Sequence, residues 1–343
     1  MKTVSVVILN WRSYPIVMDA AQSALRQRAV NVELIVVDNG SDDESIPQLR
    51  SRFPEARIIE LGHNSGFPHG MNTGIKVATG EYILLQNADL VLDENYCAFG
   101  IGVMSSIDRV GAVGGLVQRL AKGERTDTLD ACGYTLSRTF RAQLLDHNRG
   151  GEVVGVSGSC PLFSAEALRD VERPVGYALD PWYFSSFEDI DLMLRFNLAG
   201  WAVHYAPEMR AWHVRSGSTV AASRFYEKPV PLVRHHIKNR LATILKNIPA
   251  IQLRTWLGVI VTEVAIPFYL LRKRPSTLKA WIGAWWSIGL EAPRLLRDRM
   301  RILRKGGPFQ GRLFRLIRMT RLYGVRGNEL TNRDSQQTHS VSA

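Results

Sequence analysis

The 343-residue sequence predicts an α/β fold: a mostly parallel central sheet flanked by helices, followed by a basic helical extension. Three observations predict it. Apolar runs alternate with helical patterns over the first ninety residues, polar clusters recur where those runs end, and the balance of charge changes sign near residue 224.

Val4–Leu9 is an unbroken apolar run, as expected of a parallel strand covered on both faces. Ser13 and Pro15 suit a helix start, and Ile16, Val17, Ala20, Ala21, Ala24 and Leu25 then repeat at helical spacing. Leu34–Val37 reads as a second strand, Arg57–Leu61 as a third, 70–78 as a short helix, and Tyr82–Leu85 as a buried fourth strand ending at Asn87 and Asp89. Strands alternating with helices imply a parallel sheet with ligands at the carboxyl ends of strands. The polar clusters at 10–12, 38–42 and 86–89 fall at those ends. Farther on, 95–107 and 187–199 read as helices, 201–205 as a strand, and 111–165 as a mixture of Gly, polar and short apolar stretches. The expected division is a sheet domain at 1–223, a basic amphipathic, membrane-associated helical region at 224–326 and a disordered tail at 327–343.

The net charge of +11 is unevenly placed. Residues 1–223 carry 20 Lys and Arg against 26 Asp and Glu, whereas 224–326 carry 22 against 4. Because the excess is confined to a segment rich in Trp, Leu and Ile, it points to an anionic membrane surface ahead of nucleic acid. Thr255–Leu271 is 17 residues with one charge, Glu263, followed by Arg272-Lys273-Arg274. A spanning helix needs about 20 apolar residues, so a helix lying in the interface is expected here. Cys97, Cys132 and Cys160 form no CxxC pair, which argues against a disulfide framework or structural zinc and favours a reducing compartment. Met1-Lys2-Thr3 runs straight into a strand pattern, so no secretory signal is expected. Peripheral attachment to the cytoplasmic face of the plasma membrane follows from these readings; the oligomeric state does not.

The densest chemical signal is Glu188-Asp189-Ile190-Asp191, three carboxylates opening a helix. Acids packed this closely repel one another unless a cation, a hydroxyl proton or basic side chains face them. The bland reading is charge matching to the helix dipole, with Asp191 and Arg195 as a surface pair. Asp38-Asn39-Gly40-Ser41-Asp42 is either an ordinary turn or a nucleotide-contacting loop. Asn64-Ser65-Gly66 through Asn72 enters a helix whose free N–H groups suit phosphate or sugar oxygens. Asn87-Ala88-Asp89 is a strand-terminating turn or a carboxylate site for Mg²⁺ or Mn²⁺. His213 is expected in a loop beyond a strand, as a packed residue or a metal ligand.

Taken in order, Val4–Trp11, Val36–Ser41, Asn64–Gly74, Leu84–Asp89, Phe184–Arg195 and His213 resemble family 2 inverting glycosyltransferases of the GT-A nucleotide-sugar transferase fold, and most closely their rhamnosyltransferase-like branch. The resemblance covers roughly residues 3–245. It implies that Asn10, Trp11 and Asp38 hold the nucleotide, helped by Asn64, Gly66 and Asn72. Asp89 would be the metal-binding carboxylate, next to Asn87 where many members carry a first Asp, and His213 would complete the Mg²⁺ or Mn²⁺ site. Asp189 would be the general base, with Glu188 and Asp191 orienting acceptor or helix. The implied reaction moves a sugar from a nucleoside-diphosphate donor, dTDP-rhamnose first, to a lipid-linked glycan acceptor in cell-surface polysaccharide synthesis. A non-catalytic, membrane-docked nucleotide-sugar binding protein is the alternative. A sugar-phosphate nucleotidyltransferase would carry a Gly-rich N-terminal loop with a Lys/Arg pair, which the sequence lacks. No nucleic-acid partner is expected.

Overall fold

The computed structural model describes residues 1–121, 123–137, 140–214 and 227–320. The expected tail at 327–343 and the boundary at 223/224 lie outside the described residues.

The first half builds the parallel sheet. Strand β1 (Lys2–Asn10) leads through helix α1 (Ile16–Leu25) to β2 (Val30–Asp38), and α2 (Ser45–Arg52) leads to β3 (Arg57–Glu60). Helix α3 (Phe67–Val77) then returns the chain to β4 (Tyr82–Asn87), followed by β5 (Leu90–Leu92) and α4 (Tyr96–Ser106). The stretch of weak pattern resolves into six strands: β6 (Val110–Ala121), β7 (Glu124–Ala131), β8 (Tyr134–Leu136), β9 (Ala142–Leu144), β10 (Gly151–Glu152) and β11 (Leu162–Ser164). After α5 (Ala165–Glu172) and a 3₁₀ turn at Pro181–Tyr183 come α6 (Glu188–Leu198) and β12 (Ala202–His213). The basic segment forms α7 (Val230–Asn247), α8 (Leu253–Lys273), α9 (Leu278–Gly306) and α10 (Gln310–Thr320).

The main sheet runs β10-β12-β6-β11-β4-β1-β2-β3, with β5 paired to β12 and β7 to β6. The pairs β1–β2, β1–β4, β2–β3 and β12–β6 are parallel, whereas β11 lies antiparallel between β4 and β6. Alternation along β1 sorts its side chains between two cores. Val4, Val6 and Ile8 pack with Val17, Ala20 and Ala24 of α1, while Val7 joins Ile35, Val37, Met71 of α3 and Phe196 of α6 on the other face.

A third core joins α6 to the basic helices: Leu194 and Leu198 pack with Val233, Ile237 and Ile244 of α7 and with Ala284 and Ile288 of α9. Charge is buried within this joint. Lys246 of α7 is fully buried, with Nζ 2.7 Å from Asp180 Oδ2 and 3.0 Å from Asp191 Oδ1. Arg195 Nε lies 3.1 Å from Asp191 Oδ2, and Arg294 Nη1 lies 3.2 Å from Asp180 Oδ2. Asp191 and Arg195 are therefore an interior pair, not the surface pair of the bland reading. Burial raises the Asp180 carboxyl, but Lys246 and Arg294 outweigh it and hold the group at about 2.

Helix α8 contains the apolar run Thr255–Leu271. It is 21 residues long, and among the described residues it is the one helix long and apolar enough to cross a membrane by length and composition. Glu263 does not face outward from its middle. It is buried against Arg240 Nη1 and accepts from Trp285 Nε1 at 3.2 Å, leaving Leu257, Ile260, Val261, Val264 and Phe268 as an exposed apolar face.

Removing one member of a buried ion cluster strands the others without water. Lys246→Met is expected to cost about 3–5 kcal/mol in urea denaturation, because Asp180 and Asp191 both lose their closest cation. The Asp180 contribution is present above its ordinary value of 3.8 and fades as pH falls toward about 2, so wild type and variant should converge in strong acid.

Candidate active site

Three strand ends meet in register at one edge of the sheet. Asn10 lies opposite Asp38 across β1–β2, and Leu9 lies opposite Asn87 across β1–β4. Asn10 and Asp38 are buried and joined, with Asn10 Nδ2 donating to Asp38 Oδ1 at 2.8 Å and to Ser45 Oγ at 2.7 Å, while Asn10 Oδ1 is buried without a partner among the described residues. Asp38 Oδ2 accepts from the N–H groups of Gly40 (3.2 Å) and Ser41 (3.0 Å). These residues frame the loop. Trp11, 48% exposed, presents its surface.

The neighbouring loop is built similarly. Asn39 Nδ2 donates to Asn64 Oδ1 at 3.0 Å, and Asn39 Oδ1 accepts from Ser65 N at 2.8 Å. Gly66, at φ +86°, sits against Phe184, whose ring would lie 2.7 Å from an added Cβ. Phe67 N donates to Phe184 O at 2.8 Å, so this loop and the acidic one are stitched together. Asn72 does not join them. Its Nδ2 donates to Leu179 O at 2.7 Å and its Oδ1 accepts from Leu179 N at 3.0 Å, so both polar atoms clamp backbone and the expected nucleotide contact is corrected.

Asp89 and His213 meet. His213 is the last residue of β12, opposite Leu90 of β5, rather than a loop residue as expected. Its Nε2 lies 2.9 Å from Asp89 Oδ1, and its Nδ1 lies 2.9 Å from Oδ2 of buried Asp130 on β7. Burial lowers the imidazole pKa, but hydrogen bonds to Asp130 and Asp89 outweigh it and lift the ring to about 9. Among the described residues no group of three or more His, Cys, Asp and Glu forms a metal cage. The two donors nevertheless fit one hard cation: octahedral bonds of about 2.1 Å put adjacent donors about 3 Å apart. Asp130 on Nδ1 is the outer partner that holds the other ring nitrogen toward such an ion.

The acidic segment divides at Asp189. Its Oδ2 accepts from Gly158 N at 3.3 Å, and a Cβ at Gly158 would lie 2.9 Å from Asp189 Cβ. The next residue, Ser159, accepts from Asn87 N at 2.9 Å, so the 157–160 loop joins Asp189 to the strand end carrying Asp89. Glu188 Oε2 is buried and unpartnered. Burial and then the Asp189 charge push Glu188 up to about 8, and burial raises Asp189 as well. Glu188 thus keeps its proton at neutral pH, and the two carboxyls titrate as a pair. Asp191 points the other way, 0% exposed among Lys246, Arg195 and Asn247. Of the two expected roles, orienting acceptor or helix, its contacts fit the second.

Sequence reasoning missed what holds this segment. Phe184, Ser186 and Phe187 all have positive φ, at 64°, 73° and 72°, a conformation costly for residues with side chains. Asn239 of α7, fully buried, donates from Nδ2 to the carbonyls of Tyr183 (2.9 Å), Ser185 (2.7 Å) and Ser186 (2.8 Å). His235 stacks on Phe184 and His236 meets Phe187 edge-on. Burial lowers both imidazoles to about 4, which keeps them neutral packing partners. A signal existed in Arg234–Arg240, where Asn and two His interrupt an otherwise basic and aliphatic helix.

Comparison with known proteins gives the family and the fold. The family model described as "Glycosyltransferase like family 2" matches residues 2–227. The chain belongs to that family. Among curated relatives, the poly-beta-1,6-N-acetyl-D-glucosamine synthase of Staphylococcus epidermidis is 26% identical over 215 residues, covering 61% of this chain and 49% of that protein. The Staphylococcus aureus (strain COL) synthase is 26% identical over 200 residues, covering 57% and 45%. The family 2 chain described here thus spans about half the length of these relatives. Among solved structures, S. aureus TarS 1-349 in complex with UDP-GlcNAc superimposes with a TM-score of 0.57 at 14% identity, covering 91% of each chain. GalNAc-T7 with UDP, GalNAc and Mn2+ gives 0.56 at 14% identity, covering 72% of this chain and 48% of that one. These likenesses establish the GT-A fold.

Two titrations follow from the site. Asp130→Asn should lower the His213 pKa by about one unit or more, read from imidazole NMR shifts. Because the folded Glu188 value exceeds its ordinary 4.5, its stabilising contribution is full below that value and is lost as pH rises through about 8. Glu188→Gln should flatten that decline in a melting-temperature series across pH.

Proposed function

We propose that this family 2 glycosyltransferase inverts the configuration at C1 of a nucleoside-diphosphate sugar while moving it to a hydroxyl of a cell-surface glycan acceptor. The observation that carries the reading is the convergence of Asp189 with the Asp89–His213 pair through Gly158 and Ser159. Trp11 and the loops framed by Asn10, Asp38, Asn64 and Gly66 receive the nucleotide, with Asn87 beside the diphosphate.

One attack through one base accounts for inversion. The acceptor oxygen bonds to C1 from the face opposite the diphosphate, the C1–O bond to the diphosphate breaks, and Asp189 takes the hydroxyl proton. Glu188, neutral beside it, keeps a second negative charge away from the base. Mg²⁺ or Mn²⁺ held by Asp89 and His213 would neutralise charge growing on the leaving diphosphate.

The donor sugar rests on two supports. Resemblance to the rhamnosyltransferase-like branch favours dTDP-rhamnose, whereas the names of the synthase and TarS relatives favour UDP-GlcNAc. Thermal shift against a nucleotide-sugar panel decides between them. The apolar face of α8, with basic residues at its end, supports peripheral attachment to an anionic leaflet and so a lipid-linked acceptor. High salt or carbonate should release the protein from membranes; retention until detergent is added would mean that α8 spans.

Asp189→Asn should retain donor affinity in calorimetry and lose about 10²–10⁴-fold in turnover. Near-normal turnover would remove Asp189 as the base. Asp89→Ala should abolish the Mg²⁺-dependent part of donor binding.

A further inference from the structure

A cleft of about 460 Å³ lies outside the site described above, between the 3₁₀ turn, α7 and α9. Its charged lining is cationic: Arg234 and Lys238 from α7 and Lys279 from α9, with no carboxylate among the lining residues. Lys238 is only 5% exposed, yet its ammonium is not matched by an acid. It donates to Trp182 O at 2.6 Å and lies 3.6 Å from the centre of the Trp182 ring. Burial, together with the charges of Arg234 and Arg294, pulls Lys238 down to about 8 although Asp180 and Glu291 oppose it. Three cations on one cleft wall that carries no carboxylate form a place for an anion.

The remaining walls are apolar and indicate what the anion is attached to. Val230, Pro231, Ala280 and the Trp182 ring surround the cations. Along α9, Lys279, Gly283 and Ser287 face the cleft at four-residue intervals. Ile282, Trp286 and Leu290 repeat at the same interval on the adjoining stripe and are 56%, 69% and 67% exposed. A phosphate in the cleft therefore has an exposed apolar track beside it. On its inner side, His235 lines the cleft and stacks on Phe184, which packs against Gly66 of the loop assigned to the donor. One aromatic layer separates the cleft from that loop.

We propose that this cleft binds the phosphate or diphosphate of a lipid-linked acceptor, with Arg234, Lys238 and Lys279 gripping the anion and the Ile282–Trp286–Leu290 stripe receiving the chain. The assignment deepens the transferase reading and rests on it for the word acceptor; the anion site stands on its own geometry. Arg234 and Lys279 are exposed, so their replacement leaves the core intact.

Farnesyl diphosphate is a suitable probe for calorimetry on the full chain in detergent. Wild type should bind it, and Arg234→Ala/Lys279→Ala should weaken binding at least about tenfold, the loss of one or more charge-assisted contacts. Intrinsic tryptophan fluorescence, with Trp182 and Trp286 at the site, should change on titration in the wild type and need at least about tenfold more ligand for the same change in the double variant. Equal affinity in both proteins would overturn the proposal. So would a double variant that binds farnesyl diphosphate normally but loses phosphatidylglycerol vesicles, because the cleft would then dock bulk headgroups. Donor titration with UDP-GlcNAc and dTDP-rhamnose separates the two readings. Diphosphate binding through Arg234 and Lys279 without nucleotide-sugar binding sinks the transferase and keeps the site; the reverse sinks the site alone.

Discussion

The segment that carries Asp189 holds a shape it would not adopt alone, and this constraint organises the molecule around it. Phe184, Ser186 and Phe187 occupy left-handed backbone that residues with a Cβ avoid, at a cost of order 1–3 kcal/mol each. The opposing forces come from α7: three carbonyls accept from the Asn239 amide, two Phe rings rest on His235 and His236, and Tyr183 shares a hydrogen bond with Thr243. Strain concentrated beside the carboxylate proposed as the base fixes its direction, since none of the three residues can relax while α7 stays docked.

Charge is sorted by the same joint. Asp189 and Asp191 are two residues apart on one helix, yet one approaches Gly158 and the other meets Lys246 and Arg195 inside the third core. Helical spacing separates them by about 200°, so one faces the sheet edge and the other the basic helices. The strong positive balance of 224–326 is therefore partly internal. Lys246, Arg240 and Arg294 neutralise Asp180, Asp191 and Glu263, Lys305 and Arg312 pair with Asp170 and Glu152, and Arg234, Lys238 and Lys279 line the cleft.

The parallel half of the fold was legible because β1, β2 and β4 are covered on both faces and so read as unbroken apolar runs. Strand β7, Glu-Arg-Thr-Asp-Thr-Leu-Asp-Ala, carries no such run, and β10 and β11 have two and three residues, so 111–165 gave no usable period. His213 was expected beyond the strand because Pro207 interrupts the pattern. The ladder shifts register between Ala206 and Arg210 and continues past it. At the site, Asp89, Asp189 and His213 were found by residue type. Asp130, Asn239 and the Asn72 clamp were not, because their roles depend on partners that only the tertiary fold brings near: 83, 53 and 107 residues away in the chain.

The matched family region stops at residue 227, three residues before α7 begins. A polypeptide shortened to that limit would keep every strand of the sheet and both halves of the Asp89–His213 pair. It would also leave three carbonyls, two aromatic rings and the buried Asp180 without their fastening, and would take Lys246 from Asp191. Sequence similarity and mechanical completeness thus end at different places in this enzyme, and the helix outside the recognised region belongs to its working parts.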